Sequence, residues 1–201
     1  AGPIARFDVA GLLTTLDRYP YGCTEQLTSA AMPLLYMSSV SDALGLTQSK
    51  NLKPRIDDAI TRILTRQSSN GSFGLWRASS GDPWLNAYVT DFLTRARKAG
   101  YEVPDTAYNN ALINLRNTVN NAPDFDEGGG DIAYALYVLA REGKAVVSDL
   151  RYYADVKADA FSTPMGSAHL AAALALYGDQ PRADALFGKA AVLLEKDAAT
   201  P

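Results

Sequence analysis

The sequence predicts an all-α fold, an α/α toroid built of helical hairpins. Three observations predict it. Apolar residues recur at three- and four-residue spacing through most of the 201 residues. Alternating strand patterns are almost absent. Short turns rich in Gly, Pro and Asn break the helical runs at intervals that place successive hairpins on a common rim.

Nine helices are expected, near 7–18, 24–40, 51–68, 83–99, 105–119, 130–142, 148–159, 164–177 and 181–196. They are mostly amphipathic or rich in Ala and Leu. Asp82 followed by Pro83 is a good N-cap and first-turn pair, and Asp105 after Pro104 or Asp131 after three glycines would start helices in the same way. The punctuation lies at Ser69-Asn70-Gly71-Ser72, Gly100 to Pro104, Glu127 to Gly130 and Gly178-Asp179-Gln180-Pro181. With 47% hydrophobic residues the chain can bury a substantial core, as one large domain or two small ones, and a single toroid domain over residues 1–201 is the expectation.

Composition also narrows function. A net charge of −3, with Lys and Arg scattered, leaves no basic footprint for nucleic acid and no polybasic membrane stripe. No apolar run approaches the ~20 residues that span a bilayer. The start, Ala1-Gly2-Pro3-Ile4-Ala5-Arg6, does not read as a signal sequence, so the chain is expected to be an interior piece of a longer protein. A single cysteine excludes an intramolecular disulfide, and no cofactor is expected.

The densest chemistry lies in Tyr19-Pro20-Tyr21-Gly22-Cys23-Thr24-Glu25-Gln26. Cys23 precedes a carboxamide side chain, Gln26, by three residues, and residues at i and i+3 face each other across one helical turn. Sulfur attack on the Gln26 carbonyl with loss of ammonia would close an internal thioester, a stored acylating agent. Pro20 fixes φ and Gly22 loosens the backbone, so the chain can turn just before a helix that starts after Cys23. At that helix N-terminus, free N–H groups and the dipole favour the thiolate. Holding nucleophile and carbonyl in one turn gives effective molarities of roughly 10⁵ M or more. Water must be excluded afterwards, and Tyr19, Tyr21 and Trp84 are the candidate aromatic cover. Judged by spacing alone, an inert buried cysteine beside an ordinary helical glutamine is the commoner arrangement.

Three ordered motifs reverse that balance. Pro20, Gly22, Cys23, Glu25 and Gln26 spell P-x-G-C-x-E-Q, which resembles the thioester motif of the α2-macroglobulin and complement family; Asn70-Gly71-Ser72-Phe73-Gly74 and Trp84-Leu85-Asn86-Ala87-Tyr88-Val89 resemble the two signatures that follow it. The resemblance is strong over residues 1–100. It implies an α/α barrel with more helices than the nine read here, so either the ring is open in this chain, exposing an apolar flank, or the coarse reading merges elements. Two departures matter. Thr24 stands where many animal members carry Gly, so φ > 0 is not needed there. Complement-type members also resemble one another in a downstream His, whereas here no His precedes His169. The chain more resembles bacterial α2-macroglobulins, in which the thioester reacts directly with amines such as lysine side chains.

That resemblance implies a single-use reagent, not a turnover enzyme: a protease cuts a bait segment elsewhere in the parent, the thioester is uncovered, and a lysine amine of the attacking protease is acylated by Gln26 while Cys23 is freed. The implied partners are such proteases and the parent domains that cover the thioester. The implied location is periplasmic, with the parent tethered to the inner membrane by a lipid anchor, the one membrane contact expected. Glu25 matches the motif, and backbone capping is its modest reading. His169 lies in an Ala-rich helix, where a satisfied or surface histidine is the ordinary meaning; a Cys23–His169 hydrolase dyad would need a tertiary contact. A rival reading comes from Gln67 to Gly74, which resembles the Gln-x-x-Asp-Gly-x-Phe/Trp repeat of prenyltransferase β subunits and triterpene cyclases. Against it, one Cys and one His are a thin supply of zinc ligands.

Overall fold

The computed structural model describes residues 22–37, 52–122 and 124–199. The helices are α1 (Thr24–Ala31), α2 (Leu52–Leu64), α3 (Pro83–Lys98), α4 (Asp105–Asn120), α5 (Gly130–Arg141), α6 (Val147–Val156), α7 (Pro164–Leu176) and α8 (Gln180–Ala199), with a 3₁₀ turn at Ala158–Ala160. No strand occurs among the described residues; one isolated antiparallel bridge joins Gln67 to Phe73.

Which helices touch defines the architecture. α1 packs on α3, α3 on α5, and α5 on α7, so every second helix forms a continuous inner ring. The helices between them pack outside: α2 on α1, α4 against α3 and α5, and α6 and α8 against α7. This alternation is the hairpin toroid that the sequence predicts. Side-chain chemistry follows position. Inner α5 buries Ile132, Ala133, Tyr134, Ala135, Leu136, Val138, Leu139 and Ala140, nearly its whole circumference. Outer α2 buries a stripe, Leu52, Ile56, Ala59, Ile60 and Ile63, and leaves its other face to charges.

The core falls into two clusters that meet at α3. Leu85, Val89, Phe92 and Leu93 join α1, α2 and Phe73 on one side, while Ala87 joins α4 to α8 on the other. Asp91, 4% exposed, carries a fixed charge into the seam with α5. It accepts from Arg95 Nε at 2.7 Å and from the Tyr134 hydroxyl at 2.9 Å, and it pairs with Arg141. A buried carboxylate is tolerated because each neighbour is a donor.

Several boundaries differ from the sequence expectation. The run expected over 24–40 is broken at Met32 and Pro33, after which a helical turn covers 34–37; proline lacks the N–H that would continue the ladder and its ring crowds the preceding turn. The run expected over 51–68 ends at Leu64, because Arg66 and Gln67 turn the backbone towards the Gln67–Phe73 bridge. The run expected over 148–159 stops at Val156 and tightens into the 3₁₀ turn. Asp82 is the N-cap as expected, accepting from the Leu85 N–H at 3.0 Å. Asp105 and Asp131 instead sit inside the first turns of α4 and α5, behind caps at Pro104 and Gly129, where their charge complements the helix dipole. The helix expected at 7–18 lies outside the described residues. At the last helix Phe187, Val192 and Leu194 are 42%, 51% and 62% exposed.

Candidate functional site

The site is assembled where the start of α1 meets the 66–82 loop and the start of α3. Cys23 is the N-cap of α1, with φ −63° and ψ 169°, and its carbonyl takes the first helical hydrogen bond from the Leu27 N–H at 3.0 Å. The side chains of Cys23 and Gln26 share a capping box. The Gln26 Oε1 accepts from the Cys23 backbone N–H at 3.1 Å, so the carboxamide is folded back over the residue that carries the sulfur. Cys23 is 9% exposed.

Thr24 locks this corner to the loop. It is fully buried, its N–H donates to the Leu75 carbonyl at 2.8 Å, and its hydroxyl reaches the Gly74 carbonyl at 2.6 Å and the Leu75 carbonyl at 3.0 Å. The two hydroxyl contacts are what a side chain at this position adds over glycine. No non-glycine residue among the described ones has positive φ, so Thr24 needs no left-handed backbone. Gly22 does not use it either. A Cβ on Gly22 would come within 3.0 Å of a Leu27 methyl, so close packing is what favours glycine there.

Arg66 completes the clamp. Its Nη2 donates to the Gly22 carbonyl at 2.9 Å, and its Nη1 to the Leu75 carbonyl at 3.0 Å and the Thr24 hydroxyl at 3.2 Å. The planar guanidinium suits this three-way grip. Its pKa is held below the usual arginine value, first by burial and then by Arg62, with the Cys23 sulfur pulling the other way. A fixed positive charge therefore stands beside the residue whose sulfur would carry negative charge on leaving.

Glu25 faces the other side of the sulfur. The thiol points to its Oε2 at 3.9 Å, while its Oε1 accepts from the Ser29 hydroxyl at 3.0 Å. Since the Ser29 proton is spent on Glu25, the Tyr88 hydroxyl 3.0 Å away is the donor to Ser29. The Tyr88 ring stacks on Trp84 with centroids 5.0 Å apart. Backbone capping, the reading expected for Glu25, is replaced by this contact with the thiol and the hydroxyl chain.

The three sequence motifs are thus one unit. Thr24 ties the first to Gly74 of the second, the Phe73 N–H donates to Asn86 Oδ1 of the third at 2.8 Å, and Ser29 meets Tyr88. The Gln67 to Gly74 segment, which resembles an isoprenoid-enzyme repeat, is a structural turn: Gln67 Nε2 donates to the Ala107 carbonyl at 2.9 Å, and Asn70 Oδ1 accepts from the Ser72 N–H at 3.0 Å. Gly71 needs to be glycine here, with φ +87° and a Cβ position only 2.0 Å from the Asn110 carbonyl oxygen.

Of the other residues singled out in the sequence, Trp84 is 45% exposed and lines a cavity together with Glu25. Tyr19, Pro20 and Tyr21 lie outside the described residues. His169 is placed on α7, stacked on Tyr134 at 4.5 Å and Tyr137 at 5.3 Å, so its partners are aromatic rings of α5 and not Cys23. Among the described residues no cluster of His, Cys, Asp and Glu has the makings of a metal site. Sequence reasoning missed Arg66, Thr24 as a donor, Ser29 and Tyr88. The last lies inside the third motif and Ser29 is one helical turn from Glu25, but Arg66 and Thr24 carry no local signal, because their partners are distant in sequence.

Comparison with known proteins identifies the family and the fold. Residues 3–127 match the family described as the A-macroglobulin TED domain. The α2-macroglobulin of Escherichia coli K12 is 35% identical over 190 residues, covering 88% of this chain and 11% of that protein. The structure of Salmonella α2-macroglobulin reacted with methylamine superposes with a TM-score of 0.78 at 34% identity, covering 90% of this chain and 12% of that one. Trypsin-activated α2-macroglobulin from Escherichia coli gives a TM-score of 0.74 at 33% identity, covering 86% and 13%. The chain spans little more than a tenth of the length of these relatives.

Proposed function

The chain belongs to the A-macroglobulin TED domain family, and from that premise we propose that it is the thioester-bearing domain of a bacterial α2-macroglobulin, a protease inhibitor, with Cys23 and Gln26 as the bonded pair. The observation that carries this reading is the shared helix cap, in which the Gln26 carboxamide is folded over the Cys23 backbone.

In the resting parent, sulfur attacks the Gln26 Cδ and ammonia leaves, so a thioester replaces the carboxamide. A lysine amine of a protease then attacks the same carbon. The C–N bond forms, the C–S bond breaks, and the protease is left attached through a Gln26 amide with Cys23 as a free thiol. The ring of helices holds the pair in register, Arg66 and Thr24 fix the corner, and the aromatic side chains flanking it, with the rest of the parent, keep water away until the target arrives. Each molecule reacts once. The parent is expected in the periplasm, anchored at the inner membrane.

Intact mass of the full parent protein tests the reading. Wild type should be lighter than its sequence mass by one ammonia, gain one methylamine on treatment and release one titratable thiol. Cys23→Ala should show none of the three. A wild-type mass equal to the sequence mass, with a free thiol before treatment, would sink the proposal.

A further inference from the structure

Beside the capped corner lies a cavity of about 790 Å³ whose lining includes Glu25, Leu75, Trp76, Asp82 and Trp84. Trp76 and Trp84 are 64% and 45% exposed, so two indoles of the lining reach the surface. Aromatic faces of this kind, beside a carboxylate, suit the approach of an alkylamine, whose cationic form they attract. Of the carboxylates lining the cavity, Asp82 is spent on the α3 cap. Glu25 differs: one oxygen lies 3.9 Å from the Cys23 sulfur, and the other is held by Ser29.

We infer that Glu25, which lines this cavity and reaches the Cys23 sulfur, is the catalytic residue that moves the proton of the attacking amine. The assignment rests on the thioester reading above. As a neutral amine attacks the Gln26 carbonyl carbon, its nitrogen becomes cationic. Glu25 takes one proton from that nitrogen; the C–S bond breaks with its electron pair going to sulfur; Glu25 returns the proton to the sulfur, which leaves as a thiol. The products are an amide and a thiol, with no proton gained or lost overall. The Tyr88–Ser29 hydroxyl chain holds one carboxylate oxygen while the other lies towards the sulfur, and Ser29 is a positioning residue. In a family whose complement-type members resemble one another in a downstream histidine, this chain would use a carboxylate already inside its thioester motif.

The test uses the full parent protein and methylamine, following thiol release from pH 6.5 to 9.5. Glu25→Gln should retain the ammonia deficit and react about 100-fold more slowly near pH 7, the usual size of a lost proton-transfer group. Its rate should also climb more steeply with pH than that of wild type, because hydroxide must replace the carboxylate. Glu25→Ala should be accelerated by added formate, whereas a purely structural role for Glu25 gives no such rescue. A wild-type rate and pH profile in Glu25→Gln overturns the inference while leaving the thioester intact. If the Glu25 variants carry no ammonia deficit, Ser29→Ala decides: slower aminolysis supports the proton role, and an unchanged rate overturns it. A wild-type parent lacking the deficit removes the thioester reading and this inference with it.

Discussion

At the residue scale, the corner around Cys23 is held by one side chain that the local sequence does not advertise. Arg66 lies more than forty positions from Gly22, yet its guanidinium joins Gly22, Thr24 and Leu75. Arg66→Ala leaves three acceptors without their charged donor, and bonds of that type cost about 2–3 kcal/mol when lost. The expected outcome is a lower denaturation midpoint, together with faster spontaneous hydrolysis of the thioester, read as ammonia deficit lost during storage at neutral pH. Arg66→Lys keeps the charge but not the planar fork, so it should recover less than half of the stability. The Cys–Gln spacing was legible because it is local. The clamp was not, because an arginine at the end of a helix reads as an ordinary solvated charge.

At the scale of elements, the caps decide where chemistry can sit. α3 begins with Asp82 and Pro83, and this start brings Asn86 under the 73–81 loop, Trp84 onto the cavity and Tyr88 to Ser29. Asp82→Ala removes the bond to the Leu85 N–H and should cost about 1 kcal/mol, measured by thermal or urea unfolding. Loosening this end should also raise the exposure of Trp84, visible as a red shift of its fluorescence. Most helix starts and stops were readable from Pro, Gly and Asp. The break at Pro33 and the early end of α2 were misread because apolar periodicity runs on through both points: periodicity reports which face is buried, and not whether the backbone ladder continues.

At the scale of the whole molecule, the inner ring carries a stack that links folding to pH. His169 on α7 lies against Tyr134 and Tyr137 of α5, and its Nδ1 is buried without a hydrogen-bond partner among the described residues. Burial holds its pKa below the usual histidine value, with the Asp91 charge opposing in part. The folded state therefore refuses a proton that the unfolded chain accepts. Stability from this site is complete above the ordinary histidine pKa of about 6.5 and is lost as pH falls below it, by at most ~1.4 kcal/mol per pH unit. His169→Phe keeps the stack and removes the titration. Its urea midpoint should fall less than that of wild type between pH 7.5 and pH 5.5, and equal falls would show that His169 is not the group responsible.

The sequence by itself determined the fold class and the hairpin order and put a thiol three places from a carboxamide, since each depends on features within a few residues: apolar spacing along a helix, turn residues between helices, and one helical turn. Only the tertiary structure decided what surrounds that pair. Tyr88 joins Ser29, Arg66 grips the corner, and His169 stacks on the rings of α5, because these contacts form when segments distant in sequence pack side by side. Local spacing sets what one turn can do. Which side chains approach it across the ring depends on how the helices dock, and the same periodic pattern fits many dockings.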